Sequence, residues 1–399
     1  MSENYSRTKT DSQYPLTFEE ELQVESEDSS NPDTKDIHPW DPEKIRITTK
    51  HFSLREVVEQ INDGDIDLSP DFQRDYVWSE KQKTRLVESV LLGIPLPAFY
   101  FNQEADGSYQ IVDGVQRLST ISAFMANKHT LRSTHLEYLK DYNNHRFTDL
   151  ETLEIRRFRS TQIVVHVIEP TTPTDIKYDI FSRVNTLGSP LKAQEIRHAM
   201  STARSRNFLT QFVENKHFDL ATDRNFWKKT ESGDYIRNSG RMTDREIALR
   251  FCAFKSSTLN DYRQFSSLDR FLVYFTERLD GKPGQKALTD TEMQKLFETF
   301  ESAMESAYEI LGNLAFRRIE DGKRRGPINR AIFESQSIAL SRYSKEQLIS
   351  KSVEVKDALL GLFHNPEYTK AVTVGTGAPN SVKTRLELPT IALEQVFND

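Results

Sequence analysis

Strand-like apolar runs in this chain stop before residue 170. They are AFYF at 98–101, SYQIVD at 108–113 and TQIVVHVI at 161–168, and from about residue 203 onward apolar residues recur at helical spacing almost without a break. RNFLTQFVENKHF, TDREIALRFCAF, SLDRFLVYFTERL and TEMQKLFETFESAMESAYEILG all fit that spacing. Strands gathered in one stretch and helices in another predict an α+β fold: an α+β domain over 41–200 followed by an all-helical domain over 201–399. The residues before 41 are rich in Ser, Asp, Glu and Asn, and EEELQVESEDSS within them is too polar to offset the entropy of ordering, so 1–40 reads as a disordered acidic tail.

Local signals fill in the first domain. Ser53 with Glu56 marks a helix start, Leu54, Val57, Val58 and Ile61 share its inner face, and Asp63-Gly64 ends it. Ser79 with Gln82 starts a second helix that runs to Gly93, with IDLSPDFQRDYVW an extended stretch between the two. Asp106-Gly107 joins the first two strands as a turn. Thr148 with Glu151 marks a further helix, and the consecutive apolar residues of TQIVVHVI predict a strand buried on both faces. Helices at TDIKYDIFSRVN, ended by Gly188, and after SPLKAQEIRHAM close this half.

The single cysteine, Cys252, rules out an internal disulfide framework and a cysteine-rich zinc site, and its apolar surroundings predict a core position. No apolar stretch approaches the roughly 20 residues of a membrane span, and MSENYSRTKT does not resemble a signal peptide, so a cytosolic protein without a membrane partner is expected. A net charge of −7 makes a local basic patch, and not the overall field, the means of holding any polyanion.

IVDGVQRLST at 111–120 carries the sharpest chemistry. A strand delivers Asp113 and Gly114 into a helix start, where unpaired backbone N–H groups of Gly114, Val115 and Gln116 would face a phosphate, Arg117 would supply a fork and Asp113 would hold Mg²⁺ or a water. The same residues also fit a plain turn, with Asp113 as helix cap and Arg117 in a surface ion pair. Gln73 and Arg74 lie in the irregular segment PDFQRDYVW, within reach of a triphosphate or balanced by Asp71 and Asp75. Arg183 and Asn185, in FSRVNTLGSPL, either close over a nucleotide with Glu195 and Arg197 behind them or belong to an ordinary helix stop. Arg317, Arg318, Lys323, Arg324, Arg325 and Arg330 form the densest basic run, and Arg324, Arg325 and Arg330 are the nucleic-acid candidates. GTGAPNSVKT at 375–384 imitates a phosphate loop, but Val382 stands where the glycine is needed and no strand precedes it. The histidines show no zinc-binding pair, and there is no GxSxG elbow.

PDFQRDYVW, LVESVLLGIPLPAFYF, IVDGVQRLSTISAF and FSRVNTLGSPLKAQEIRHAM occur here in the order and spacing of the N-terminal domain of GmrSD-type restriction endonucleases, and the chain resembles a stand-alone member of that family. RRGPINRAIFES adds a weaker similarity in the second half. The resemblance implies a ParB/sulfiredoxin-like fold with a DGQQR motif at 113–117 that faces phosphate, a nucleotide triphosphate with Mg²⁺ as ligand, and a role in restriction or phage defence with DNA or a separate effector or nuclease as partner. It favours the phosphate reading, with Asp113, Arg117 and Arg74 in the roles of a Mg²⁺-dependent NTPase. Two alternatives stay open: a non-catalytic DNA- or protein-binding module, and a nuclease in the ParB-like domain. The motif's first Gln is replaced by Val115, whose side chain can neither bind a phosphate oxygen nor orient a water. That departure separates holding a nucleotide from hydrolysing it.

Overall fold

The computed structural model describes residues 24–25, 41–68, 78–184, 191–230, 232–282, 284–319 and 326–398. Five strands, β1 (Ile47–Ser53), β2 (Ile66–Asp67), β3 (Phe99–Gln103), β4 (Tyr109–Asp113) and β5 (Gln162–Ile168), make one mixed sheet in the order β1-β5-β3-β4-β2. β1 with β5 and β3 with β4 are antiparallel, whereas β3 with β5 and β2 with β4 are parallel. The β3–β4 hairpin turns where Asp-Gly predicts it: Gly107 takes φ +94° and donates to the Glu104 carbonyl, while Asp106 Oδ1 accepts from the Ser108 amide. The register of this hairpin shifts between Tyr100 and Phe101, opposite Asp113 and Ile111, so an irregularity sits at the end that leads into the turn at Gly114.

Four helices cover one face of the sheet: α1 (Leu54–Asp63), α2 (Glu80–Leu91), α3 (Val115–Met125) and α4 (Thr152–Ser160). Ser53 caps α1 by accepting from the Glu56 amide, and Gly64 ends it at φ +86°. Ser79 and Gln82 form the full reciprocal box at α2. The α4 start lies three residues later than its Thr148 signal suggests, because Glu151 and Glu154 form the cap and Thr148 instead bonds Asn127. Phe99, Phe101, Phe124 and Phe158 are fully enclosed between these helices and the sheet. Each such side chain contributes about 1.5–3 kcal/mol of burial. On β5, Ile163, Val165 and Val167 enter this core, whereas Val164 and His166 stay half-buried, so the strand is not equally enclosed on both faces.

The opposite face meets α5 (Thr174–Val184) and α6 (Ala193–Ala199). Val112 of β4 and Ile168 of β5 pack there with Tyr178, Phe181 and Ile196, and Met242 and Val273 of the second half join the same cluster. The helical half is built around long helices at Thr243–Lys255, Leu268–Asp280, Asp290–Leu311, Arg330–Leu340 and Pro379–Asn398, with Cys252 at the centre of its core. A short hairpin, β6 (Trp227–Lys229) with β7 (Tyr235–Arg237), is added to it. Buried ions bind α6 into this half: Arg197 meets Asp269 at 2.7 Å and Glu246 at 3.8 Å, Glu246 also takes Arg250, and Glu334 takes Arg250 and Arg385. Removing one member of such a set strands a buried charge, at a cost of about 3–5 kcal/mol. Among the described residues no helix is long and apolar enough to cross a membrane.

Asp244, in the first turn of the Thr243–Lys255 helix, is fully buried; one carboxylate oxygen accepts from the Arg245 amide and the other has no hydrogen-bond partner among the described residues. Burial pushes its pKa up to about 6, against the smaller opposing pull of Arg245 and its backbone. A raised carboxylate pKa gives stability that is present in acid and lost as the pH climbs from about 4 through 6. Asp244→Asn, which mimics the protonated acid, should therefore add on the order of 1–3 kcal/mol at pH 7.5 and little at pH 4. Paired urea unfolding curves at the two pH values check this; an advantage equal at both contradicts it.

Candidate functional site

The junction of β4 and α3 is shaped by a clash that only glycine avoids. Gly114 caps α3 at φ +107°, and a Cβ placed there would lie 2.2 Å from the Phe99 ring, so both backbone conformation and space demand glycine. The demand comes from Phe99 and not from the approach of a ligand. The N-cap position of α3, Gly114, offers no side-chain cap, Asp113 closes β4, and its carboxylate turns to Arg117 at 2.8 Å.

Arg117 is the tie of the junction. Nη1 donates to the Pro97 carbonyl at 2.5 Å, Nη2 donates to the Ala98 carbonyl at 3.2 Å and to Asp113 Oδ2, and the guanidinium lies 4.1 Å from the centre of the Phe99 ring. Its side chain is 12% exposed, and burial pulls its pKa below the ordinary arginine value while Asp113 pushes it back. The fork that the sequence offers to a phosphate is thus largely engaged within the protein, clamping the chain before β3 to the first turn of α3. Asp113 is the more open partner, at 37%.

Val115 enters the core beneath the sheet, at 5% exposure, so at this position only the backbone can face a ligand. The Gln-to-Val departure therefore falls on a side chain that packs. Gln116 stays half-buried, and its Oε1 accepts from the Trp78 amide at 3.3 Å, tying the start of α2 to the start of α3. Gln73 and Arg74 lie outside the described residues. Arg183 is in the last turn of α5, and Asn185 lies outside the described residues. Glu195 and Arg197 are buried: Glu195 caps α6 and pairs with Arg241, and Arg197 belongs to the ionic set above.

Arg324 and Arg325 lie outside the described residues; Arg330 is placed, with its Nε 3.5 Å from Glu246 and 13% of its side chain exposed. The 375–384 segment is a packed corner: the Thr376 and Gly377 carbonyls accept from Arg385 and Tyr262, and Val382 is fully buried. Among the described residues no three His, Cys, Asp or Glu side chains gather as a metal cage. Among the described residues, a Mg²⁺ ion at this turn would find the arginine-paired carboxylate of Asp113 and no cluster of three ligand side chains, so the described groups do not fit a metal held by protein alone.

Sequence reasoning did not anticipate Phe99 or the Pro97 and Ala98 carbonyls as parts of the junction. A proline pair just before an aromatic strand was the available signal. With this geometry in place, comparison with known proteins assigns its class. Residues 54–202, from the first residue of α1 to just past α6, match the family model described as GmrSD restriction endonuclease, N-terminal domain, and this stretch is similar to that domain. No curated protein and no solved structure matches the chain.

Gly114→Ala should destabilise the fold by about 3 kcal/mol or more, since it adds both backbone strain and a collision with Phe99. Gly114→Ala combined with Phe99→Leu should recover part of that loss. Denaturant unfolding checks both; a single variant within 0.5 kcal/mol of the parent, by rough measure, contradicts the close packing at this turn.

Proposed function

We propose that residues 54–202 are the nucleotide-binding part of a restriction-type defence protein, receiving a triphosphate at the Asp113–Arg117 turn and hydrolysing it slowly. The observation that carries this reading is a strand-to-helix turn whose N-cap is a glycine with no side chain to fill the helix start, in a stretch that matches the GmrSD N-terminal domain. Its first helical turn carries the positive end of the helix dipole, and Gln116 and Asp113 are its more open side chains. Arg117 holds the turn in shape and lends it charge from behind. The protein orients the phosphates through the α3 backbone; a Mg²⁺ ion accompanying the triphosphate would supply charge neutralisation without a ligand set from the described residues.

Slow turnover follows from two features. The Val115 side chain faces the core, away from any attacking water, and the Asp113 carboxylate already accepts from Arg117. The bound state has a route to the helical half through α5. That helix packs against Val112, next to Asp113, and its Asp175 carbonyl and Asp179 carboxylate accept from Arg270 of the second half.

A thermal-shift panel of ATP, GTP, CTP and UTP, with and without Mg²⁺, tests the reading. At least one triphosphate should raise the melting temperature, because a ligand at 100 times its Kd adds about 2.7 kcal/mol to the folded state. Phosphate release should stay slow at saturation. No shift with any of the four overturns nucleotide binding, and rapid phosphate release overturns the account of Val115 and Asp113.

A further inference from the structure

The acidic N-terminal tail does not stand apart from the fold throughout. Val24 forms an isolated parallel bridge with Ile328, which also forms an isolated antiparallel bridge with Arg317. Glu25 follows it into a cationic nest. Its amide donates to the Ile328 carbonyl at 2.8 Å, its Oε2 accepts from Asn329 Nδ2 at 2.9 Å, its Oε1 lies 3.7 Å from Arg318 Nη1, and its carbonyl accepts from Arg330 Nη1 at 3.2 Å. Asn329 is at the same time the cap of the Arg330–Leu340 helix, so the Glu25 carboxylate sits where the helix dipole favours an anion.

The two stretches of sequence that hold these partners carry opposite charge. In sequence, residues 19–30 hold Glu19, Glu20, Glu21, Glu25, Glu27 and Asp28 and no Lys or Arg, while the stretch from Arg317 to Arg330, which holds the residues Glu25 contacts, carries the densest basic run of the chain. Cations also gather behind the nest: burial, together with the charges of Arg241 and Arg330, holds the Lys192 ammonium below its usual range.

We propose that Glu25 is an intrachain stand-in for a nucleic-acid phosphate, filling a phosphate site made by Arg318, Asn329 and Arg330 that duplex DNA takes when the tail is displaced. Phosphate oxygens reproduce both functions of the carboxylate, accepting from the Asn329 amide and pairing with Arg318. The tail contributes a single carboxylate and a single bridge here, whereas a DNA strand supplies a row of charges and gains from counterion release. Being tethered, the tail competes at an effective concentration of about a millimolar, enough to weaken DNA binding without abolishing it. This site is separate from the nucleotide turn and does not depend on it.

The test uses the full-length chain and a fluorescein-labelled duplex read by anisotropy at two salt concentrations. Glu25→Ala should tighten binding by about tenfold, the effect of removing a tethered competitor. Arg318→Gln in the Glu25→Ala background should reverse most of the gain and flatten the salt slope by about one unit. Unchanged affinity in Glu25→Ala, or a gain that survives Arg318→Gln, overturns the proposal. Tighter binding of a polyglutamate probe with no gain for DNA overturns the choice of nucleic acid as the occupant. The nucleotide-induced shift in melting temperature, measured on the same Glu25→Ala protein, should be unaltered, so failure here is distinguishable from failure of the nucleotide reading.

Discussion

The contact on which the α+β half turns is the guanidinium of Arg117 lying over the Phe99 ring and bonded to the carbonyls of Pro97 and Ala98. It joins three pieces of chain at one point: the segment before β3, the end of β4 through Asp113, and the first turn of α3. The carbonyls it reaches precede β3 and the carboxylate ends β4, so neither carbonyl is left unsatisfied where the chain enters the sheet. Once Phe99 is held there, the space beside it excludes a Cβ and position 114 must be glycine. What reads in sequence as a ligand motif is therefore first a folding motif. Any ligand meets a turn already formed.

The same principle runs through the helical half, where arginines are tied internally instead of being offered to solvent. Arg197, Arg250 and Arg385 are nearly or fully buried, each paired with Glu or Asp from another helix or turn. Their fork geometry lets one side chain join two or three elements, which a lysine cannot do. Together with the apolar seam of Val112, Ile168, Phe181, Ile196, Met242 and Val273, they make the sheet and the helices parts of one packed body. A change at the β4–α3 turn has a short path into that seam, because Val112 is the residue before Asp113.

Much of the architecture was legible because its signals are local. The Ser53 cap, the Ser79–Gln82 box, the Asp106-Gly107 turn and the helical periods after residue 203 each depend on residues within a few positions of one another. β1 was not legible, since it is an edge strand with a mostly exposed, polar sequence and so lacks an apolar alternation. The role of Arg117 was hidden for a different reason: two of its partners are backbone carbonyls about twenty residues away, and a carbonyl leaves no mark on residue type. Val115 misled similarly, because the motif counts positions along the chain while the helix decides which of them face the core. The tail contact at Val24 and Glu25 spans some three hundred residues, and only the opposite charges of the two segments hinted at it.

Arg117→Lys tests the central claim most directly, with unfolding by urea and the nucleotide-induced shift in melting temperature measured on the same protein. Lysine keeps the charge but cannot stack flat on Phe99 or donate in a fork, so the account predicts a loss of about 2 kcal/mol in stability, with the ligand-induced shift retained below the lower melting temperature. Unchanged stability together with a vanished shift would contradict it, making Arg117 a ligand-binding group and not the tie that builds the turn.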